Sequence, residues 1–143
     1  MRYRVIIFDL DDTVLDFKAG EKRGLATVFK AFKTKALDYD AWVATYLDIN
    51  ARVWQAIEKG AQPQPLLNQR FSDTFAAFNQ DIDGVAAEVL YRQVLDANDA
   101  VVPGAAEVLE TLSQRGYKLV VGTNGKTATQ YQRLQLTGFQ QYF

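Results

Sequence analysis

The 143-residue chain contains no cysteine and no histidine. The first absence excludes a disulfide scaffold, a thiolate nucleophile and cysteine-ligated zinc or iron–sulfur centres. The second removes the commonest general base and the commonest metal ligand. Excess charge is lacking too, since 16 Lys and Arg stand against 17 Asp and Glu, a net charge of −1. A nucleic-acid footprint wants a basic patch, so no nucleic-acid partner is expected. No segment approaches the roughly 18 uninterrupted apolar residues of a membrane span, so no membrane partner is expected either. The apolar run near the N-terminus, Val5–Phe8, is too short for a signal-peptide core, and a cytoplasmic location is the expectation. The chemistry must therefore run on carboxylates, amines, hydroxyls and backbone dipoles.

What is present is apolar and aromatic: 48% hydrophobic and 13% aromatic residues, enough for a packed core. The length suits one domain, or a small domain carrying an insertion. Arg4–Phe8 is a β-branched run that predicts a strand buried on both faces, as in a parallel sheet. Helical spacing then takes over. Leu25, Val28, Phe29 and Phe32 form one stripe, and Trp42, Tyr46, Ile49, Val53 and Ile57 a second that Gly60 ends. Pro65 is expected to open a third helix through Leu67, Phe71, Phe75 and Phe78. Asp81–Gly84 reads as a turn into a fourth helix, and the aromatics of this middle region read as core. Pro103-Gly104 opens a short amphipathic helix closed by Gly116. A second β-rich run, Tyr117–Val121, and a helix over 127–136 complete the chain. The predicted fold class is α/β: a parallel-sheet core of residues 1–16 and 99–143, interrupted by a helical insertion over 17–98.

Both strands end abruptly in polar loops. Asp9, Asp11 and Asp12 follow the first, and Thr123 and Asn124 follow the second. Open parallel sheets bind ligands outside the carboxyl ends of their strands. Two carboxylates one residue apart can divide labour there, one as nucleophile and one as general acid and then base. Carboxylates and a nearby backbone carbonyl are also hard oxygen ligands suited to Mg²⁺. A Thr hydroxyl and free backbone N–H groups opposite them would hold phosphate oxygens. The plainer alternative is a solvated turn whose Asp and Thr residues cap the next helix.

Phe8-Asp-Leu-Asp-Asp-Thr-Val-Leu15 resembles the first motif of the haloacid dehalogenase superfamily, Asp-x-Asp-x-Thr after a hydrophobic strand. Val120-Val-Gly-Thr-Asn-Gly125 resembles the second, a strand ending in Thr or Ser. The helical block looks like that superfamily's α-helical cap, inserted into a Rossmann-like core, with Val102-Pro-Gly-Ala as the return. Thr123-Asn-Gly followed by Gln130, Arg133-Leu134 and Gly138-Phe139, with Tyr142-Phe143, resembles the pyrimidine 5′-nucleotidase branch.

The resemblance implies roles. Asp9 would attack phosphorus and form an aspartyl-phosphate. Asp11 would protonate the leaving oxygen and then activate the hydrolytic water. The Asp9 carboxylate and the Asp11 carbonyl would bind Mg²⁺, and Thr123, helped by Asn124, would hold the phosphoryl group. The partner would be a small phosphorylated substrate such as a nucleotide. An acid at Asp11 favours phosphatase over dehalogenase. Phe17, Asn50, Trp54 and Arg70 are the substrate candidates of the cap, two aromatics for a base and Arg70 for an anion. Against this stands core packing for Phe17 and Trp54 and a solvated surface position for Arg70.

Other readings compete with this one. Gly122-Thr-Asn-Gly-Lys-Thr127 ends like a P-loop, but Val120 stands where the first glycine is needed and only 16 residues follow. A receiver domain uses acids at strand ends but would not tolerate an insertion this long. A catalytically silent interaction module, or a phosphatase for sugar phosphates, stays open. The superfamily also places a Lys and an acidic pair downstream of the second motif, whereas no acidic residue follows Glu110. The chain is therefore expected to be the N-terminal portion of a longer phosphatase, slow on p-nitrophenyl phosphate by itself. Nothing in the sequence sets the oligomeric state.

Overall fold

Residues more than a hundred positions apart form the only ladder among the described residues, 2–143 of a computed structural model. β1 (Val5–Phe8) and β2 (Lys118–Val121) pair in parallel, Val5 with Lys118 through Phe8 with Val121. Between them in sequence come α1 (Phe17–Phe32), α2 (Tyr39–Glu58), α3 (Pro63–Ala76), α4 (Gly84–Asp96) and α5 (Ala105–Gln114). α6 (Thr127–Thr137) and a 3₁₀ turn at Phe139–Tyr142 follow β2. No helix is long and apolar enough to cross a membrane.

The chain divides into two compact units, Met1–Lys22 with Val94–Phe143, and Arg23–Gln93. In the first, Leu10, Val14, Leu15, Leu109, Leu119, Leu134 and Phe139 form a buried apolar cluster, with Ile6 and Phe8 packed against it. The expectation of a strand buried on both faces fails on β1. Alternate residues of a strand face opposite ways, and Val5 and Ile7 remain 50% and 70% exposed. Only the face that meets the cluster is covered.

Asn98 ties this unit together. It is 1% exposed, donates from Nδ2 to the Asp16 carbonyl (2.9 Å) and accepts from the Ala100 N–H (3.2 Å). Asn98→Ala leaves both backbone groups without this partner and is expected to lower stability by about 1–3 kcal/mol. A shift of the urea midpoint reads this, and an unmoved midpoint would show that the two bonds are dispensable.

The second unit is aromatic at heart. Trp42 meets the rings of Phe29 (5.3 Å between centroids), Phe75 (5.2 Å), Tyr46 and Phe71 (both 6.3 Å). Trp42, Tyr46, Phe71 and Phe75 are wholly buried, as the helical spacing predicts. Asp38 caps α2 by accepting from the Ala41 N–H. α3 opens at Pro63, two residues ahead of the expected Pro65, because a proline in the first turn lacks only an N–H that would have no helical partner.

Beneath the rings sits an ion pair. Arg70 donates from Nε and Nη2 to the two Glu88 oxygens (2.9 and 2.8 Å) and from Nη1 to Asn50 Oδ1 (2.9 Å). Its guanidinium carbon lies 4.9 Å from the Tyr91 ring centroid and 5.6 Å from that of Phe71. Burial alone would push this guanidinium's pKa down, but Tyr46 and Glu88 outweigh it and hold it above its ordinary range. Arg70 is therefore not the solvated surface charge its type suggests, but a buried, charged tie between α2, α3 and α4.

Candidate active site

Two loops leave the same end of the ladder. The Gly122 N–H donates to the Phe8 carbonyl (2.8 Å), so Asp9 and Gly122 start from one level. A Cβ at Gly122 would stand 2.9 Å from Ile7 Cγ2, and a larger residue there would press on β1.

The first loop is wound around one carbonyl. Leu10 O accepts from the N–H groups of Thr13 (3.2 Å), Val14 (2.9 Å) and Leu15 (2.9 Å), while Asp12 N–H donates to Leu15 O (2.7 Å). Asp12 takes a left-handed conformation, φ +59°, which Asp tolerates better than most residues. Buried Leu10, Val14 and Leu15 pin the turn to the apolar cluster.

This winding sorts the acids. Asp12 Oδ1 accepts from the Lys18 N–H (3.2 Å) and Asp16 Oδ1 from the Ala19 N–H (3.0 Å), so these two serve the start of α1. The capping alternative is thus met by Asp12 and Asp16. Asp9 and Asp11 accept no helix N–H. Asp9 is exposed and accepts a long bond from Thr13 Oγ1 (3.3 Å). Asp11 is half-buried and its carboxylate turns toward α6. There Gln130 Nε2 donates to Oδ2 (3.2 Å) and Arg133 Nη1 donates to Oδ1.

In the second loop, Thr123 Oγ1 accepts from the Gly125 N–H (3.1 Å) and from Gln130 Nε2 (2.9 Å). Asn124 is exposed beside it. Thr123 and Gln130 also line a depression of about 630 Å³ along β2, walled by Leu119, Val121, Leu134 and Phe143. Asp9 and Asp11 are not part of that wall, which is mostly apolar and follows the strand rather than the loops.

No group of three or more acidic side chains among the described residues could hold an ion. The Asp9 carboxylate is exposed, however, and the Asp11 carbonyl takes no part in the bonds that wind the loop. Mg²⁺ commonly binds through one or two carboxylates and keeps several waters, so two hard oxygens fit as part of a site.

Sequence alone shows no chemistry for Gln130 and Arg133. Their spacing of three places both on one face of α6, directly after the Thr123 loop, and that was the available signal. Both are buried, at 4% and 3% exposure, and Arg133 Nε and Nη2 have no protein partner among the described residues.

Of the cap candidates, Asn50 and Arg70 are brought together, 2.9 Å apart. The expectation that Arg70 forks onto a substrate anion is corrected, because its fork already holds the Glu88 carboxylate and its remaining nitrogen holds Asn50. Trp54 is 42% exposed on α2 and is not a core residue. Phe17 belongs to the other unit, half-buried at the start of α1.

The chain as a whole is similar to known proteins. A family model for haloacid dehalogenase-like hydrolases matches residues 3–143. YfnB of Bacillus subtilis (strain 168), a HAD-hydrolase by name, is 35% identical over 99% of this chain and 60% of its own length. The pyrimidine 5′-nucleotidase PynA of Streptococcus pneumoniae (strain ATCC BAA-255 / R6) is 36% identical over the whole chain and 60% of its own length. A crystal structure of YfnB, described as bound to magnesium and as revealing interdomain movement, superposes with a TM-score of 0.88 over 100% of this chain and 62% of its own. The chain therefore spans about 60% of the length of the curated relatives it matches. Its parallel strands and helices fit a Rossmann-like core interrupted by a helical cap, and the chain belongs to the haloacid dehalogenase-like hydrolase family.

Proposed function

We propose that the whole protein is a phosphomonoester hydrolase working through an aspartyl-phosphate on Asp9. The observation that carries this is the division of the acids. The turn commits Asp12 and Asp16 to helix capping and leaves the Asp9 carboxylate exposed at the strand end, at the level where the Thr123 loop departs. An Asp9 oxygen attacks phosphorus, the bond to the leaving oxygen breaks, and Asp11 supplies the proton that oxygen needs. Asp11 then accepts a proton from the water that cleaves the acyl-phosphate and regenerates Asp9. Thr123 Oγ and Asn124 hold the non-bridging oxygens. The Asp9 carboxylate and Asp11 carbonyl would hold Mg²⁺, which when bound offsets phosphoryl charge. The magnesium described for YfnB supports this.

For substrate we propose a nucleoside monophosphate or a similar small phosphate. The name of PynA supports this class, and exposed Trp54 offers a ring for stacking on a base. Phe17 is the second candidate ring. Asn50 and Arg70 support the cap from within, and the cap is proposed to span residues 17–98.

Acid quenching during turnover, followed by peptide mass spectrometry, tests the covalent step. The expected result is phosphate on Asp9. Steady turnover with no phosphorylated peptide, or with phosphate on another residue, would sink the mechanism. A panel of nucleoside monophosphates and sugar phosphates then ranks the substrates, and a preference for the sugars would overturn the nucleotide reading.

A further inference from the structure

Thr123 has one hydroxyl proton and two acceptor lone pairs. Both acceptor sites are filled, by the Gly125 N–H at 3.1 Å and by Gln130 Nε2 at 2.9 Å. The proton is therefore left to donate. We infer that Gln130, oriented by Arg133, makes Thr123 an obligate outward donor, so that this position accepts an anionic oxygen and rejects a neutral donor group. The inference rests on the reading of Thr123 as a phosphoryl ligand and adds two positioning residues to it.

The orientation of the Gln130 amide is over-determined. Its Oε1 accepts from Arg133 Nη1 (3.2 Å), which turns the nitrogen to the other side. There the two amide protons meet two acceptors, Thr123 Oγ1 at 2.9 Å and Asp11 Oδ2 at 3.2 Å. A flipped amide would set its oxygen against the Asp11 carboxylate and its NH₂ against the guanidinium. Arg133 is itself anchored by donating to Asp11 Oδ1. Gln130 and Arg133 are more than nine-tenths buried, which shields their ends of these bonds from water.

Gly125 makes the approach possible. A Cβ there would lie 2.5 Å from Gln130 Nε2 and 2.9 Å from its Cδ, so any side chain would push the amide away from Thr123. The glycine is needed for this close packing rather than for a left-handed backbone.

Calorimetric titration of the whole protein with inorganic phosphate, with Mg²⁺ in the buffer, reads the effect without turnover. Thr123→Val is expected to weaken phosphate binding about tenfold, the loss of one hydrogen bond to an anion. Gln130→Met keeps the shape but not the bonds, and is expected to weaken binding about threefold to tenfold. In the Thr123→Val background, Gln130→Met should cost nothing more, because it acts through the hydroxyl. Equal losses in both backgrounds, or no loss in either, overturn the inference while leaving the phosphate site intact. No effect of Thr123→Val, or no phosphate binding by the native protein, overturns the phosphoryl-ligand reading and the inference with it. Gly125→Ala is the independent variant should Gln130→Met fail to fold. It displaces the same amide, and native phosphate affinity in it would count against the inference as firmly.

Discussion

Asp9→Asn is expected to remove phosphoryl transfer altogether, a loss on the order of 10⁴-fold or more in kcat/KM. The amide oxygen is a poor nucleophile and cannot carry an acyl-phosphate that water releases as carboxylate. Asp11→Asn should behave differently. Loss of a general acid ordinarily costs about 10²–10⁴-fold, and the loss depends on how much the departing oxygen needs a proton. With p-nitrophenyl phosphate, whose leaving group departs as an anion, the first step should survive and the aspartyl-phosphate should accumulate. With a nucleoside monophosphate, whose leaving group is an alkoxide, both steps should fail. Stopped-flow release of p-nitrophenol, compared with steady-state phosphate release, separates the steps. A burst in Asp11→Asn and none in Asp9→Asn is the expected pair. Equal defects of the first step on both substrates would remove Asp11 from protonating the leaving oxygen.

The second large effect is on stability. Arg70→Met is expected to destabilise the protein by about 3–5 kcal/mol, because it leaves the Glu88 carboxylate buried without its bidentate partner. Both side chains are nearly inaccessible, at 3% and 6% exposure, so water cannot readily take the place of the lost guanidinium. Arg92 Nη2 stands 3.9 Å from Glu88 Oε1, too far for a good hydrogen bond, and recovers little. Methionine also gives up the cationic contact with the Tyr91, Phe71 and Tyr46 rings. Arg70→Met combined with Glu88→Leu should recover most of the loss, since a buried pair replaced by apolar groups of similar volume is often neutral. Chemical denaturation of the two variants decides this. A single variant with unchanged midpoint but a raised KM would instead restore Arg70 to the substrate-binding role that its residue type suggests.

The order of elements was legible because local chemistry dictates it. Helical spacing in 25–32 and 42–57, the glycines after α2, α5 and α6, and two β-branched runs each act over a few residues. Parallel pairing followed from two short strands separated by helices. The ends of those strands pointed to Asp9, Asp11, Thr123 and Asn124 for the same reason. The burial of Arg70 was not legible, because exposure is not a local property. Arg70 has the type of a surface residue yet lies under three rings.

By itself, then, the sequence determined which residue types are available for chemistry and at which strand ends they stand. With no histidine and no cysteine, carboxylates and hydroxyls had to carry the site. Only the tertiary structure decided how equivalent groups divide. Four aspartates lie within eight residues, and the winding of one turn around the Leu10 carbonyl makes caps of Asp12 and Asp16 and not of Asp9 and Asp11. Arg133 meets Asp11 across 122 positions and Gln130 meets it across 119. Such partners are set by chain closure and burial, which make an unpaired polar group costly, and no local propensity encodes them.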